Sequence, residues 1–359
     1  MIDTWTNPHQ DPAAWARQLN ISLEAVQLYL ASEVIDLHTD SFLWQRLIGY
    51  RMERRHAPPR WGRRRFGGQV DFPRVLEAAM AGMVWDIPTN PLISRARKYA
   101  ALRGHIDQIL SRLRRVPEHF QHVVSYSDYQ AARAAGKVAS WISIQGGQAI
   151  DNNLYDLARI PEVHRITLVH FTPSRIGASN FDPLNARRGL SAFGRDFVAE
   201  MVRLGILVDL SHINRPGFFD ALDVMDHQAK QVPPLVTHTG VRGVCDIWRN
   251  LDDEQIRAIA ARNGTIGVIY EQNFLARRRT EQTLTRIVDQ LEYIIGLVGE
   301  EHVSLGSDYD GMITLPHDFG DITEQPKLVA DMLRRGWSAE RIQKILGLNF
   351  LRVLQAVRP

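Results

Sequence analysis

Six residues of this chain have the type and placement to do metal chemistry: His38, Asp40, His170, His212, His238 and Asp308. His38 and Asp40 form a His-x-Asp pair at the end of the apolar run VIDLHTD at 34–40. In an extended strand alternate side chains share a face, so an imidazole nitrogen and a carboxylate oxygen lie side by side, a pairing that can hold a divalent cation. One such pair more commonly marks a hydrogen-bonded strand end. The pattern recurs, however, in ITLVHF at 166–171, ILVDLSH at 206–212, PLVTHTG at 234–240 and VSLGSDYDG at 303–311. Each is a β-rich run that finishes on or just before His170, His212, His238 or Asp308. If these termini share one face, His38, Asp40, His212 and His238 supply metal ligands, and Asp308 is placed to take a proton from a water activated by the metal. The other nine histidines lack this placement and read as structural.

Positioning these residues requires strands that all point the same way. Eight apolar runs, at 34–37, 83–87, 138–144, 165–169, 206–210, 234–237, 265–270 and 303–306, alternate with helical patterns such as 193–204, 216–226 and 252–261. Pro216 stands where a first helical turn tolerates it, and Asp252, Asp253 and Glu254 give the last of these an acidic start. Alternation of this kind predicts a (β/α)8 TIM barrel, with a doubly wound open sheet as the competing arrangement. A barrel gathers the carboxyl ends of its strands at one mouth. The expected organisation is a helical extension over 1–33 with a helix near 22–32, a barrel over 34–325, and packed helices over 326–359.

The chain has 359 residues, 43 Lys+Arg against 40 Asp+Glu, and 45% hydrophobic residues. This balance excludes a disordered or collagenous chain, and a net charge of +3 implies no nucleic-acid partner. A single cysteine, Cys245, excludes a disulfide scaffold and leaves nitrogen and oxygen as the ligands for any metal. Neither a signal peptide nor a membrane anchor is legible, so a cytoplasmic location is expected. The arginine-rich run at 51–65 reads as a solvated loop or as a cationic rim that attracts a substrate carboxylate. Nucleophile-elbow, HExxH, Walker and GxGxxG signatures are absent from the sequence.

Taken together the motifs resemble the membrane dipeptidase (renal dipeptidase, peptidase M19) family of amidohydrolase-like barrels. The likeness rests on DLHTD at 36–40, SIQGGQAI at 143–150, ITLVHF at 166–171 and GLSAFGRDFVAEMVRLGILVDLSH at 189–212. It continues in VTHTGVRGVCDIWRNLDDEQIRAIA at 236–260, HVSLGSDYDG at 302–311 and RRGWSAERIQKILGLNFLRV at 334–353. The resemblance implies a zinc-dependent hydrolase of dipeptides or related N-acyl amino acids, and suggests a homodimer. It implies His38 and Asp40 as ligands of one Zn2+ and His212 and His238 as ligands of a second. His170 would contact the substrate and polarise its carbonyl, Asp308 would transfer protons, and Arg249 would hold the substrate carboxylate. Arg242 matches a further family position, to be read as substrate-binding or as a structural ion pair.

One motif departs. Where the family carries Ile-Glu-Gly-Gly-His, with the Glu bridging two zinc ions, this chain reads Ile144-Gln145-Gly146-Gly147-Gln148. An amide offers one carbonyl oxygen and no negative charge, which is a poor bridge between two cations about 4 Å apart. Three outcomes follow: two metals bridged only by hydroxide or substrate, one metal at His212 and His238 with water or Asp308, or a metal-poor binding protein. A mononuclear site would suit an amide or lactone hydrolase.

Overall fold

The computed structural model describes residues 2–57, 65–90, 92–172 and 174–359. Among these are nine parallel strands: β1 (Ile35–Thr39), β2 (Gly82–Pro88), β3 (Phe120–His122), β4 (Val138–Gln145), β5 (Val163–Thr167), β6 (Leu207–Asp209), β7 (Leu235–Thr239), β8 (Thr265–Val268) and β9 (Val303–Leu305). Eight run in the order β1-β2-β4-β5-β6-β7-β8-β9, and β3 pairs only with β4. β3 is an addition to the eight expected strands; three residues are too few to show a period of two. The first and last strands meet through a parallel bridge between Thr39 and Tyr309, with Asp40 N donating to Tyr309 O at 2.8 Å and Asp308 N to His38 O at 3.1 Å. The sheet is therefore a nearly closed (β/α)8 barrel, and its seam is sewn by the segments that carry His38, Asp40 and Asp308.

Helices cover the outside. Those at Ala192–Arg203, Arg215–Asp226 and Asp253–Ala260 lie where the patterns place them; Pro216 sits in the first turn of the second, and Asp252 and Gln255 form a capping box on the third. Trp85, Trp141, Phe72, Phe197 and Phe218 fill the layer between sheet and helices. At the amino end of the chain the helix Leu23–Leu30 is preceded by a second, Pro12–Leu19, capped by Asp11. At the carboxyl end the helices Pro326–Arg334 and Ala339–Gln343 lead through a π-helical turn, Lys344–Leu348, into Asn349–Val357. Asn349 Nδ2 donates to Val303 O at 2.7 Å, at the start of β9. Phe350 packs on Trp141 and His164, and His164 lies near the amino end of β5. The C-terminal helices thus close the floor of the barrel and leave the opposite mouth free.

Three pairings shift register, β1 with β2, β4 with β5 and β7 with β8, and the first and last of these fall at candidate site residues. Asp36 pairs with Met83 and Thr39 with Trp85, so Leu37 and His38 together oppose one residue of β2. On β7, Val236 pairs with Ile266 and Thr239 with Val268, so Thr237 and His238 oppose Gly267 alone. A bulge re-aims a side chain at the cost of local crowding. A Cβ on Gly267 or Gly306 would lie 2.0 or 1.6 Å from Thr237 O, so glycine is required at Gly267 of β8 and at Gly306, the residue after β9, where both approach the β7 bulge.

Candidate metal centre

The polar contents of the barrel form two layers. The lower one centres on Arg165 of β5, which is buried in the barrel interior. Its Nη2 donates to both Asp86 oxygens at 2.9 and 2.7 Å and to Ser143 Oγ at 2.8 Å; its Nη1 meets Asp209 and donates to Thr167 Oγ1 at 3.1 Å. A buried guanidinium flanked by two carboxylates is tolerable only because the charges pair and their lone pairs are filled. Burial still raises Asp86 to about 7 against the pull of Arg165, whereas the Arg165 charge and hydroxyl donors hold Asp209 below the usual range despite its burial.

This layer orients the two bulge histidines. His38 Nδ1 lies 3.1 Å from Asp86 Oδ2 and 3.4 Å from Arg165 Nη2, so this layer holds the Nδ1 edge of the ring; a proton on Nδ1 directed at Asp86 leaves the Nε2 lone pair for the mouth. Thr237 Oγ1 donates to Asp209 at 2.7 Å and has only acceptor capacity left for His238 Nδ1 at 3.0 Å. That again directs an Nε2 lone pair upward. Asp86, Arg165 and Asp209 were not singled out by sequence; the available signal was a charge inside an otherwise apolar strand, in MVWDIP, HRITL and ILVDL.

The upper layer holds the expected residues. Ligating atoms of His38, His238 and Asp308 lie within 4.8 Å of one another, and His212 Nε2 is 2.7 Å from His238 Nε2. His38 Nε2 is 3.6 Å from Asp308 Oδ1 and 3.9 Å from Asp40 Oδ1. Asp40 reaches this point from the N-cap of the helix Ser41–Ile48, outside the strand, and its side chain makes no capping bond. Proximity to His38 therefore comes from the bulge and the turn, where simple alternation had been the expectation. His212 and Asp308 hold left-handed backbone conformations, φ 66° and 64°, uncommon in non-glycine residues and characteristic of functional sites.

Among the described residues, His38 Nε2, Asp40 Oδ1, Gln145 Oε1, His212 Nδ1 and Asp308 Oδ1 are buried without a hydrogen-bond partner. Buried polar atoms normally find partners, so several orphans in one mouth mark a place for a ligand. Burial, foremost, lowers His38, His212 and His238 well below the ordinary imidazole value and keeps their lone pairs free. It raises Asp40 and Asp308 well above the ordinary carboxylate value, a penalty that an adjacent cation would offset. Neutral imidazoles with carboxylates fit a zinc-type cation, and the donor set passes that test.

Gln145 ends β4. Ser143, two residues earlier, bonds Asp86 in the interior, so Gln145 faces the same interior one step nearer the mouth. The Gln148 amide instead donates to Thr172 Oγ1 at 3.0 Å. His170, three residues past β5, packs against His212 with ring centroids 4.7 Å apart. Burial, then the charge of Arg249, lowers it to about 3, so it is a neutral N–H donor. Arg249 is buried beside β7: Nη2 donates to His238 O at 2.9 Å, while Nε has no partner among the described residues. Burial lowers it to about 10, which leaves it charged. Arg242, half-exposed, pairs with Asp246 at 2.7 Å on the rim of the cleft that Arg249 also lines. Arg63 and Arg64 of the arginine-rich run lie outside the described residues; Arg65 Nε donates to Met312 O at 2.8 Å.

Comparison with known proteins places the chain in a family. A dipeptidase of Claviceps purpurea (strain 20.1), tcpJ, is 29% identical over 301 residues, covering 81% of this chain and 69% of that protein. The crystal structure of a Rhodobacter sphaeroides metallopeptidase, liganded with a phosphinate mimic of the dipeptide L-Ala-D-Ala, is 25% identical with a TM-score of 0.79, covering 91% of this chain and 99% of that one. The probable dipeptidase PvdM of Pseudomonas aeruginosa has the same TM-score at 18% identity over 95% of this chain and 98% of its own, a likeness of fold. The profile of the membrane dipeptidase family, peptidase family M19, matches residues 23–359. The chain belongs to that family.

Proposed function

We propose that this chain hydrolyses the amide bond of dipeptides that have a free C-terminal carboxylate, with one zinc ion held by His38, His238 and Asp308 together with His212. The observation that carries the single-metal reading is the convergence of His38, His238 and Asp308 within 4.8 Å, with His212 Nε2 2.7 Å from His238 Nε2, in a chain whose β4 ends on an uncharged Gln145. A cation there supplies electrophilic activation of the scissile carbonyl and makes water more acidic. The remaining work falls to side chains. Arg249 offers an uncommitted Nε–H to the substrate carboxylate, an interaction in which a planar guanidinium is favoured over an ammonium. His170, neutral, donates to the carbonyl oxygen as negative charge develops on it. The Asp308 carboxylate accepts the proton of the attacking water and returns it to the departing amine nitrogen, so the C–O bond forms and the C–N bond breaks with the proton balanced. Asp40, 3.9 Å from His38 Nε2, adds negative charge beside the metal. Among the described residues no helix is long and apolar enough to cross a membrane.

The test is to load the purified protein with zinc, count metal per chain by elemental analysis, and compare a dipeptide with its C-terminal amide. One zinc per chain, with cleavage of the free acid and little of the amide, is expected. Equal cleavage of both overturns the role of Arg249, and cleavage of neither overturns the dipeptidase reading.

A further inference from the structure

The mouth also carries a row of aromatic rings with no part in the chemistry above. Phe171 follows His170, Phe181 lies in the same connection between β5 and the helix Ala192–Arg203, and Trp248 immediately precedes Arg249. Phe181 meets Phe171 and Trp248 edge to face, each at a centroid distance of 4.4 Å. It also stacks over His212 at 5.8 Å. The row is not core: Phe171 is 56% and Trp248 57% exposed. Three large rings from two loops, braced on one another and on a candidate ligand while keeping faces open, suit an apolar guest.

Position identifies the guest. Trp248 and Arg249 line one cleft together with His212. In a dipeptide held by Arg249 through its carboxylate, the C-terminal side chain branches from the Cα next to that carboxylate, within reach of Trp248 in the same cleft. Charge does not compete for it, because Arg242 is paired with Asp246 and Arg215 with Asp252. We propose that Trp248 and Phe181 form the subsite for the C-terminal side chain and select dipeptides that end in an aromatic or bulky apolar residue. The inference rests on the dipeptidase reading for its anchor.

With the zinc-loaded protein, kcat/KM for Gly-Phe is expected to exceed that for Gly-Ala by about tenfold, the scale of partial burial of a phenyl ring. Phe181→Ala and Trp248→Ala should each bring the ratio to within about threefold of unity, and Trp248→Phe should retain most of it. A ratio near one in the unmodified enzyme, or one unchanged by both alanine variants, overturns the subsite. If neither peptide is cleaved, titration followed by tryptophan fluorescence separates the two ideas. Tighter binding of Gly-Phe that is lost in Phe181→Ala keeps the subsite and removes the dipeptidase reading, whereas equal binding removes both. Should Trp248→Ala split a dimer in sedimentation and leave the ratio unchanged, the rings face a second copy of the chain and the subsite is overturned.

Discussion

Two polar layers lie one above the other inside the barrel, both buried, and they differ in how their hydrogen-bonding capacity is met. Around Arg165, the Asp86 and Asp209 carboxylates accept from guanidinium and hydroxyl donors, and Thr237 and Ser143 complete the set. Above it, His38 Nε2 lies near Asp308 Oδ1 and Asp40 Oδ1, and these three atoms and Gln145 Oε1 have no hydrogen-bond partner among the described residues. Arg165 Nε alone of the lower set has no partner among the described residues, against these four atoms above, and this difference at equal burial separates a layer that holds the fold from one that waits for a ligand. It also couples them, because Nδ1 of each bulge histidine is engaged from below.

The largest expected effect falls on the upper layer. Removing metal with a chelator should lower dipeptide turnover by at least about 10⁴-fold. Far-UV circular dichroism should stay unchanged, since the barrel is held by the lower layer and the apolar shell. Unfolding on chelation would instead assign the folding role to the upper layer. The next largest effect belongs below: Arg165→Leu leaves two carboxylates buried without a counterion and should cost about 3–5 kcal/mol in urea unfolding. A loss under about 1 kcal/mol would mean the pair is not what stabilises the interior.

The difference between the layers also explains what was legible in the sequence. His38, His170, His212, His238 and Asp308 could be read because parallel strands in a barrel deliver their carboxyl ends to one place, whatever the side-chain details. Asp86, Arg165 and Asp209 could not, because a buried charge is intelligible only once its partner is known, and these partners lie 44 or more positions apart in the chain. The bulges at His38 and His238 were hidden for a related reason. A bulge is a relation between two strands, and the one on β7 leaves its trace in the glycines at 267 and 306. The strand Phe120–His122 and the helix Pro12–Leu19 are short elements whose stability comes from what they pack on.

Coupling between the layers is tested by Asp86→Asn. The amide has one acceptor oxygen for the three donors now served by the carboxylate, Arg165, Ser143 and His38. His38 should lose its fixed orientation, and zinc affinity measured by competition with a chromophoric chelator should fall about 10- to 100-fold. Unchanged affinity with reduced stability would make the lower layer structural only.

The smallest effect sharpens the upper layer itself. Gln145 contributes an unpartnered carbonyl oxygen and no charge, and a carboxylate in its place would interact with a nearby cation by roughly 3 kcal/mol per unit charge at 5 Å and an effective dielectric of 20. Desolvation of the new carboxylate offsets part of this. Gln145→Glu should therefore tighten zinc binding by about tenfold and raise the count from one zinc per chain toward two, with Asp40 and His38 freed to hold the added ion. Because Gln145 is buried and the metal-free mouth holds no cation to offset a new carboxylate, stability of the metal-free protein should fall by about 1–3 kcal/mol, a loss that zinc restores. An unchanged zinc count, with unchanged affinity, would show that the missing charge does not limit the centre and that the convergence of His38, His212, His238 and Asp308 alone sets a single-ion site.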